Sequence, residues 1–342
     1  MLARNAIIYI FTGITPDALE AAVARRPFQP CGAFDANSRG FITPVKGQEG
    51  LVRFAGNVAS IAMREDDKIL PACVVTDETR RQADEIEEQQ GHRIGRKQMK
   101  ELKERVTEEL RAKAFVRTTV VRAWLDFDAG LLVIDTASES KVDNLTGTLL
   151  RHFDELPELL RWFTNDAPIA HFTNWVQTGE APDGFTIDDR ALLTNTEGGK
   201  VRLTNQSMVA DEVRNLIENS RTCVELAITH AEKLSFVLTH NLTLKRIDHL
   251  GINEERDPAQ ADMLEEERHD AEIILNAGAV REAFDAINDA MGDRKIRGEA
   301  PAATSPDAED GPMYEQAKQI VIDNSRPSIS LVLLETTKEP HA

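Results

Sequence analysis

Cysteine is scarce in this chain. Its three cysteines, Cys31, Cys73 and Cys223, are odd in number and far apart, so they offer neither a disulfide framework nor a CxxC metal site and read as packed thiols. Long apolar runs are missing as well: none approaches the ~20 residues that a membrane helix needs. The N-terminal Ala6-Ile7-Ile8-Tyr9-Ile10-Phe11 reads as a strand rather than a signal peptide with a cleavage site. No membrane partner and a cytoplasmic location are therefore expected. There is no GxxxxGK(S/T) loop, no strand-linked GxGxxG, no HExxH and no GxSxG, so nucleotide hydrolysis and the commonest hydrolase mechanisms lose their sequence support. Positive charge is also in short supply: 40 Lys and Arg face 58 Asp and Glu, a formal net charge of −18 at pH 7. Averaged over the molecule, such a field repels nucleic acid.

The charge is not averaged, however. Between Gly251 and Asp310 seventeen Asp or Glu face six Lys or Arg, which accounts for −11, while residues 1–126 are close to neutral. From His92 to Arg122 the sign reverses: ten Lys or Arg (Arg93, Arg96, Lys97, Lys100, Lys103, Arg105, Arg111, Lys113, Arg117, Arg122) face four Glu. Phosphate feels charge mainly within a Debye length of ~8 Å, so this island suggests a polyanion site despite the total. Five of its cations crowd between Arg93 and Lys103 around Gly95, where a helix is expected to begin and backbone N–H groups could join them on a phosphate.

The 342 residues, 41% apolar, allow two or three packed units. Asn5–Thr12 reads as a strand, Thr15-Pro16-Asp17 as the cap of a helix to about Ala24, and Arg53–Asp67 as two further strands. From Thr76 the pattern becomes helical, breaks between Gly91 and Gly95, and resumes from about Lys97 with Met99, Leu102, Val106 and Leu110 on one stripe. Val116–Phe127 and Leu131–Thr136 flank an Asp128-Ala129-Gly130 turn. Helices follow at Ser138–Phe153 and Ile169–Thr178. Lys200–Thr204 reads as a strand and Met208–Asn219 as a helix. Thr222–Thr229, Leu234–Thr239 and Thr243–Ile247 form a meander. The acidic segment reads as helix (Ala259–Glu267), short strand (Glu272–Leu275) and helix (Val280–Met291), then a polar linker. The fold class expected is α+β, with antiparallel sheets and a projecting helical hairpin. It divides into an N-terminal unit over 1–75 and 114–160, the hairpin over 76–113, a second α+β unit over 161–292, a linker over 293–312 and a tail over 313–342.

Other constellations weigh less. Glu265, His269, Asp270 and Glu272 imitate a metal cluster, but acid-rich helices are usually solvated surface, and neither metal nor cofactor is expected. Asp66-Asp67, Asp126 and Asp135 could be paired carboxylates of a Mg²⁺ nuclease, yet each sits at a strand end or turn, where Asp is common anyway. Gly198-Gly199-Lys200, leading into Arg202 and Gln206, is a second candidate anion site. Phe115, at a helix-to-strand junction, reads locally as core.

In order along the chain, Phe28-Gln29-Pro30-Cys31-Gly32, Asp67-Lys68-Ile69-Leu70-Pro71, Gly95-Arg96-Lys97, Lys113-Ala114-Phe115, Leu125-Asp126 through Gly130-Leu131, Asn174-Trp175-Val176, and Ser235-Phe236-Val237 followed by Leu244-Lys245-Arg246 resemble the RdgC family of recombination-associated DNA-binding proteins. The resemblance covers roughly residues 3–292. It implies a ring-shaped homodimer with duplex or single-stranded DNA in a basic central hole, nucleoid association, and restraint of the RecA recombinase. Lys68, Arg93, Arg96, Lys97, Lys200, Arg202 and Gln206 would face DNA, with Lys100, Lys113 and Arg117 of the basic island beside them, and Phe115 would plug the gate between subunits. Asn205 stands where the family can show Lys. Asp310–Ala317 through Ser328–Val332 is similar to the start of the FtsK/SpoIIIE winged-helix domain, whose groove-reading helix does not follow here. On this reading the protein binds DNA without being an enzyme. An acidic DNA mimic and a Mg²⁺-dependent nuclease are the alternatives.

Overall fold

The alternation of Asn5–Thr12 sets the architecture. In the computed structural model, which describes residues 2–250 and 264–292, this segment is strand β1, and its neighbouring side chains enter different cores. Ala6, Ile8 and Ile10 face one cluster, while Ile7 and Phe11 face the other, the period of two that a strand imposes. Helix α1 (Pro16–Ala24) follows, capped as expected by Thr15, whose Oγ1 accepts from the Ala18 N–H at 3.2 Å. The chain continues through β2 (Asn37–Ile42), β3 (Val52–Ala55), β4 (Val58–Lys68), α2 (Ala72–Gln90), α3 (Arg96–Lys113), β5 (Val116–Asp126), β6 (Leu131–Ile134), α4 (Glu139–Leu150), β7 (Glu158–Arg161), α5 (Pro168–Thr178), β8 (Phe185–Thr194), β9 (Lys200–Thr204), α6 (Asp211–Glu218), β10 (Thr222–His230), β11 (Leu234–Thr239), β12 (Leu244–His249) and α7 (Glu265–Ala290).

The twelve described strands join in one antiparallel network with the order β2-β4-β5-β6-β1-β12-β11-β10-β8-β9; β3 pairs with β4, and β7 with β1. β1 is its joint. Along one edge Ile7 to Ile10 pair with β6, while the other edge is shared between β12, at Asn5 and Ala6, and β7, from Tyr9 to Thr12. On one face of the β2–β6 side, α1 and α4 cover Ala59, Ile61, Met63, Val121, Ala123, Leu125, Leu132 and Ile134. The other face carries Trp124, Leu131 and Val133, whose core continues through Trp162, Phe172, Phe236 and the buried face of α7. The mixed α and antiparallel-β class is as expected.

Strands β2, β7 and β8 escape the sequence pattern. β7 has four residues, β2 opens on Asn-Ser-Arg-Gly, and β8 has Asp188-Asp189-Arg190 at its centre. Thr229 and Ser235 hydroxyls donate to the Asp188 carboxylate, which lets an acid sit mid-sheet. The helix–strand–helix expected of the acidic segment is also corrected, because residues 265–290 form one helix. The β-like run Glu272–Leu275 presents Ile273 to the core and leaves Ile274 and Leu275 exposed. Ala277, Val280, Ala283, Phe284 and Ile287 continue that buried stripe at helical spacing. Polar contacts tie α7 down along its length: Arg53 to Glu266 and Asp270, Ser60 to His269, the Ala3 N–H to Asn276, Asp126 to Arg281, and the Trp162 indole N–H to Asn288.

Cys223 is buried, which pushes its thiol up to about 12, and Cys31 is half-buried against Ser38 and the Asp66 carbonyl. Cys73, expected to be packed, is exposed in the first turn of α2. No helix among the described residues is long and apolar enough to cross a membrane. The beginning of the expected 259–267 helix, the linker over 293–312 and the winged-helix-like tail over 313–342 lie outside the described residues.

Candidate nucleic-acid interface

Helices α2 and α3 form a hairpin with a small core of their own, Ala83, Leu102 and Val106, packed by Ile86, Ile94, Met99 and Leu110. The turn between them is built by two glycines. Gly91 ends α2 in the left-handed region (φ 72°), where a side chain would be strained, and its N–H returns to the Glu87 carbonyl at 2.8 Å. Gly95 opens α3 with no capping side chain. The Glu87 carboxylate braces the turn from inside by accepting the Ile94 N–H at 2.9 Å.

Arg93, Arg96, Lys97 and Lys100 are all exposed on and just after this turn. Among the described residues neither Arg93 nor Arg96 has a carboxylate partner, whereas Lys97 and Lys100 face Glu101 and Glu104 at 4.0 and 3.8 Å, contacts of one helical turn that are worth little at such exposure. α2 carries six carboxylates against two arginines, so within the hairpin the positive field belongs to the turn and α3. Lys113 is exposed at the end of α3. Phe115 follows with 86% of its surface exposed, which corrects its local reading as core, while its carbonyl accepts the Ile69 N–H at 2.8 Å.

Not all of the expected residues gather here. In the β4–β5 register Lys68 lies opposite Val116 and Arg117 opposite Asp67, so alternation puts Lys68 and Arg117 on opposite faces of the sheet. Arg117 is matched by Asp67 at 3.4 Å, and Lys68 Nζ donates to the Ala33 carbonyl at 2.5 Å. A second basic strip lies on β9 at one end of the strand order, where Lys200 and Arg202 share a face and are exposed. Gln206 is half-buried, its N–H donating to the Asp189 carbonyl at 3.2 Å. Asn205 adopts φ 53°, a conformation that Asn tolerates better than Lys does. Sequence reading missed Arg190, which lies opposite Thr204 on the Lys200–Arg202 face and is exposed. Only the register of the unrecognised strand β8 reveals it.

The carboxylates weighed for metal chemistry are separately engaged. Asp66 accepts from Arg64 and from Thr118, and these bonds, the Arg64 pair foremost, hold it below the usual carboxylate range. Asp126 is held by Arg281 and by the Asp128 and Ala129 N–H groups, and Asp135 accepts the Arg4 and Asn5 N–H groups. His269 contacts Ser60 and Asp270 pairs with Arg53. Among the described residues, no group of three or more His, Cys, Asp or Glu is placed to hold a metal ion.

A family model described as "Putative exonuclease, RdgC" matches residues 1–294. The chain is 38% identical over 279 residues to the recombination-associated protein RdgC of Cupriavidus pinatubonensis, covering 81% of this chain and 92% of that protein. It is 38% identical over 283 residues to the protein so named from Ralstonia nicotianae (82% and 91% covered) and 36% identical over 298 residues to that from Cupriavidus necator (85% and 98%). The expectation that the protein is no enzyme is overturned by the family's description, which names an exonuclease. That expectation rested on the resemblance to DNA-binding proteins and on missing hydrolase and nucleotide-loop motifs, which an activity carried by scattered residues does not need. Matched along residues 1–294 and by relatives nearly its own length, the chain belongs to the RdgC family.

Proposed function

We propose that this protein binds double- and single-stranded DNA with little sequence preference and acts in homologous recombination, as the names of its relatives indicate for them. Two copies close around the duplex, with Arg93, Arg96, Lys97, Lys100 and Lys113 of the hairpin and Lys200, Arg202 and Gln206 near β9 turned to phosphate. Lys68 and Arg117 stand beside them, and the ring keeps RecA from its substrate. The observation that carries this reading is the cluster at the hairpin turn: exposed cations, two of them without a carboxylate partner among the described residues, inside a protein of formal charge −18. Selection for solubility alone would not concentrate charge against the net sign. Phe115, at the base of the hairpin, supplies the contact between copies, since its ring, 86% exposed, lies with the exposed Ile69 and Val116 in one apolar patch that a partner would cover.

The test is binding to a fluorescent random-sequence duplex across a salt series, with the oligomer mass measured on the same sample. Tight, sequence-indifferent binding by a dimer, with log K falling steeply against log salt, is the expected result. Absence of binding at low salt would mean that the acidic field wins, and the reading would fail.

A further inference from the structure

Between the base of the hairpin and the end of β4 lies an open groove of about 350 Å³. Its floor is apolar, made by Leu70, Ala72 and the buried Val75, and its walls carry Lys68, Lys103 and Arg111. Among the described residues, no carboxylate lines it. Lys68 Nζ and Arg111 Nη1 donate to the carbonyls of Ala33 and Phe34, at 2.5 and 3.3 Å, and so hold one loop at the rim. Each keeps further donors for a ligand, because an ammonium has three and a guanidinium five. The Phe34 ring rises from that loop, 66% exposed.

We infer that this groove seats one unpaired nucleotide of a single strand, its phosphate between Lys68, Lys103 and Arg111 and its base on Leu70 and Val75. The inference rests on the DNA binding proposed above and adds a subsite that distinguishes single strand from duplex. The volume is at the low end of small-molecule sites, ~300–1,000 Å³, and suits one nucleotide. A paired base is stacked inside its helix and cannot enter such a recess, whereas an unpaired base can splay out onto an apolar or aromatic surface. The combination of three cations over an apolar floor matches that bipartite ligand. Phosphate along a duplex needs only the cations.

Ala72→Trp tests this without removing charge, because Ala72 is exposed and its new side chain would fill the groove. Measured by fluorescence anisotropy, the variant should bind oligodeoxythymidine about tenfold more weakly than wild type, the loss of roughly one stacked base, and a random duplex within about twofold. In parallel, a 4-thiothymidine oligonucleotide irradiated with the wild-type protein should crosslink within residues 68–75 or 103–111. Equal weakening on both DNAs, an unchanged single-strand affinity, or crosslinks confined to other segments would overturn the subsite. If wild type binds no duplex while crosslinks still fall in the groove, the encircling reading fails and the groove stands.

Discussion

At the scale of the residue, Phe115 is the clearest departure from what local physics favours. A phenyl ring 86% exposed forgoes most of the ~1.5–3 kcal/mol that burial of such a side chain yields. Its backbone is not free to turn the ring inward, because the carbonyl is tied to the Ile69 N–H and the next residue begins β5. The ring is therefore held out by the fold. Phe115→Ser should lower the affinity between copies by about 1.5–3 kcal/mol, as for an aromatic anchor in an interface, with little change in the thermal stability of the monomer. Sedimentation across a concentration series reads the first quantity and a melting curve the second; a dimer as tight as wild type would remove Phe115 from the contact.

At the scale of the element, α7 shows what sequence can and cannot reveal. Its buried stripe is legible at Val280, Ala283, Phe284 and Ile287, within the helix expected from Val280, but the Ile-Ile-Leu run at 273–275 reads locally as strand until the sheet face beneath it is known. The two helices of the α2–α3 hairpin and the break between them were legible, because helical period, two glycines and charge run are all local, but α2 begins at Ala72, a turn before the Thr76 expected, directly after Pro71. The partners of Arg117 and Lys68, and the place of Arg190 beside Arg202, were not, since each depends on register or a loop carbonyl far along the chain. The anchors of α7 also make it sensitive to pH. Burial lowers the pKa of His269, where Asp270 pulls it up and Arg53 and Arg122 push it down, and the ring stands 2.9 Å from the Ser60 hydroxyl, between Oγ and Nε2. A His with a lowered folded pKa binds fewer protons when native than when unfolded, so its stabilisation is complete above the unfolded value of ~6.5 and is lost as pH falls through the folded one. His230 and His249 are lowered by burial in the same direction. Melting temperature should therefore fall between about pH 7.5 and pH 5.5, and fall less steeply in His269→Gln, which removes one of the three contributions. Parallel curves for the two proteins would show that His269 does not titrate with unfolding.

At the scale of the whole molecule, the issue is how a chain of charge −18 can hold a polyanion. Screening decides it: with a Debye length of ~8 Å at physiological salt, a phosphate at the hairpin turn feels Arg93, Arg96 and Lys97 far more than carboxylates on distant elements. The same cations set the salt dependence, because each phosphate they neutralise releases condensed counterions and contributes about 0.9 to the slope of log K against log salt. Among the described residues Arg96 has no carboxylate partner and Lys97 has only Glu101 at 4.0 Å, so little internal pairing there must be broken for either to reach DNA. Replacing both by Ala should flatten the slope by roughly one to two per subunit and weaken binding to every sequence alike. Arg117→Ala should change it less, since Asp67 already sits 3.4 Å away and loses its own partner in that variant. A slope unaltered in the Arg96→Ala, Lys97→Ala protein would move the DNA path off the hairpin, leaving the β9 strip of Arg190, Lys200 and Arg202 to carry it.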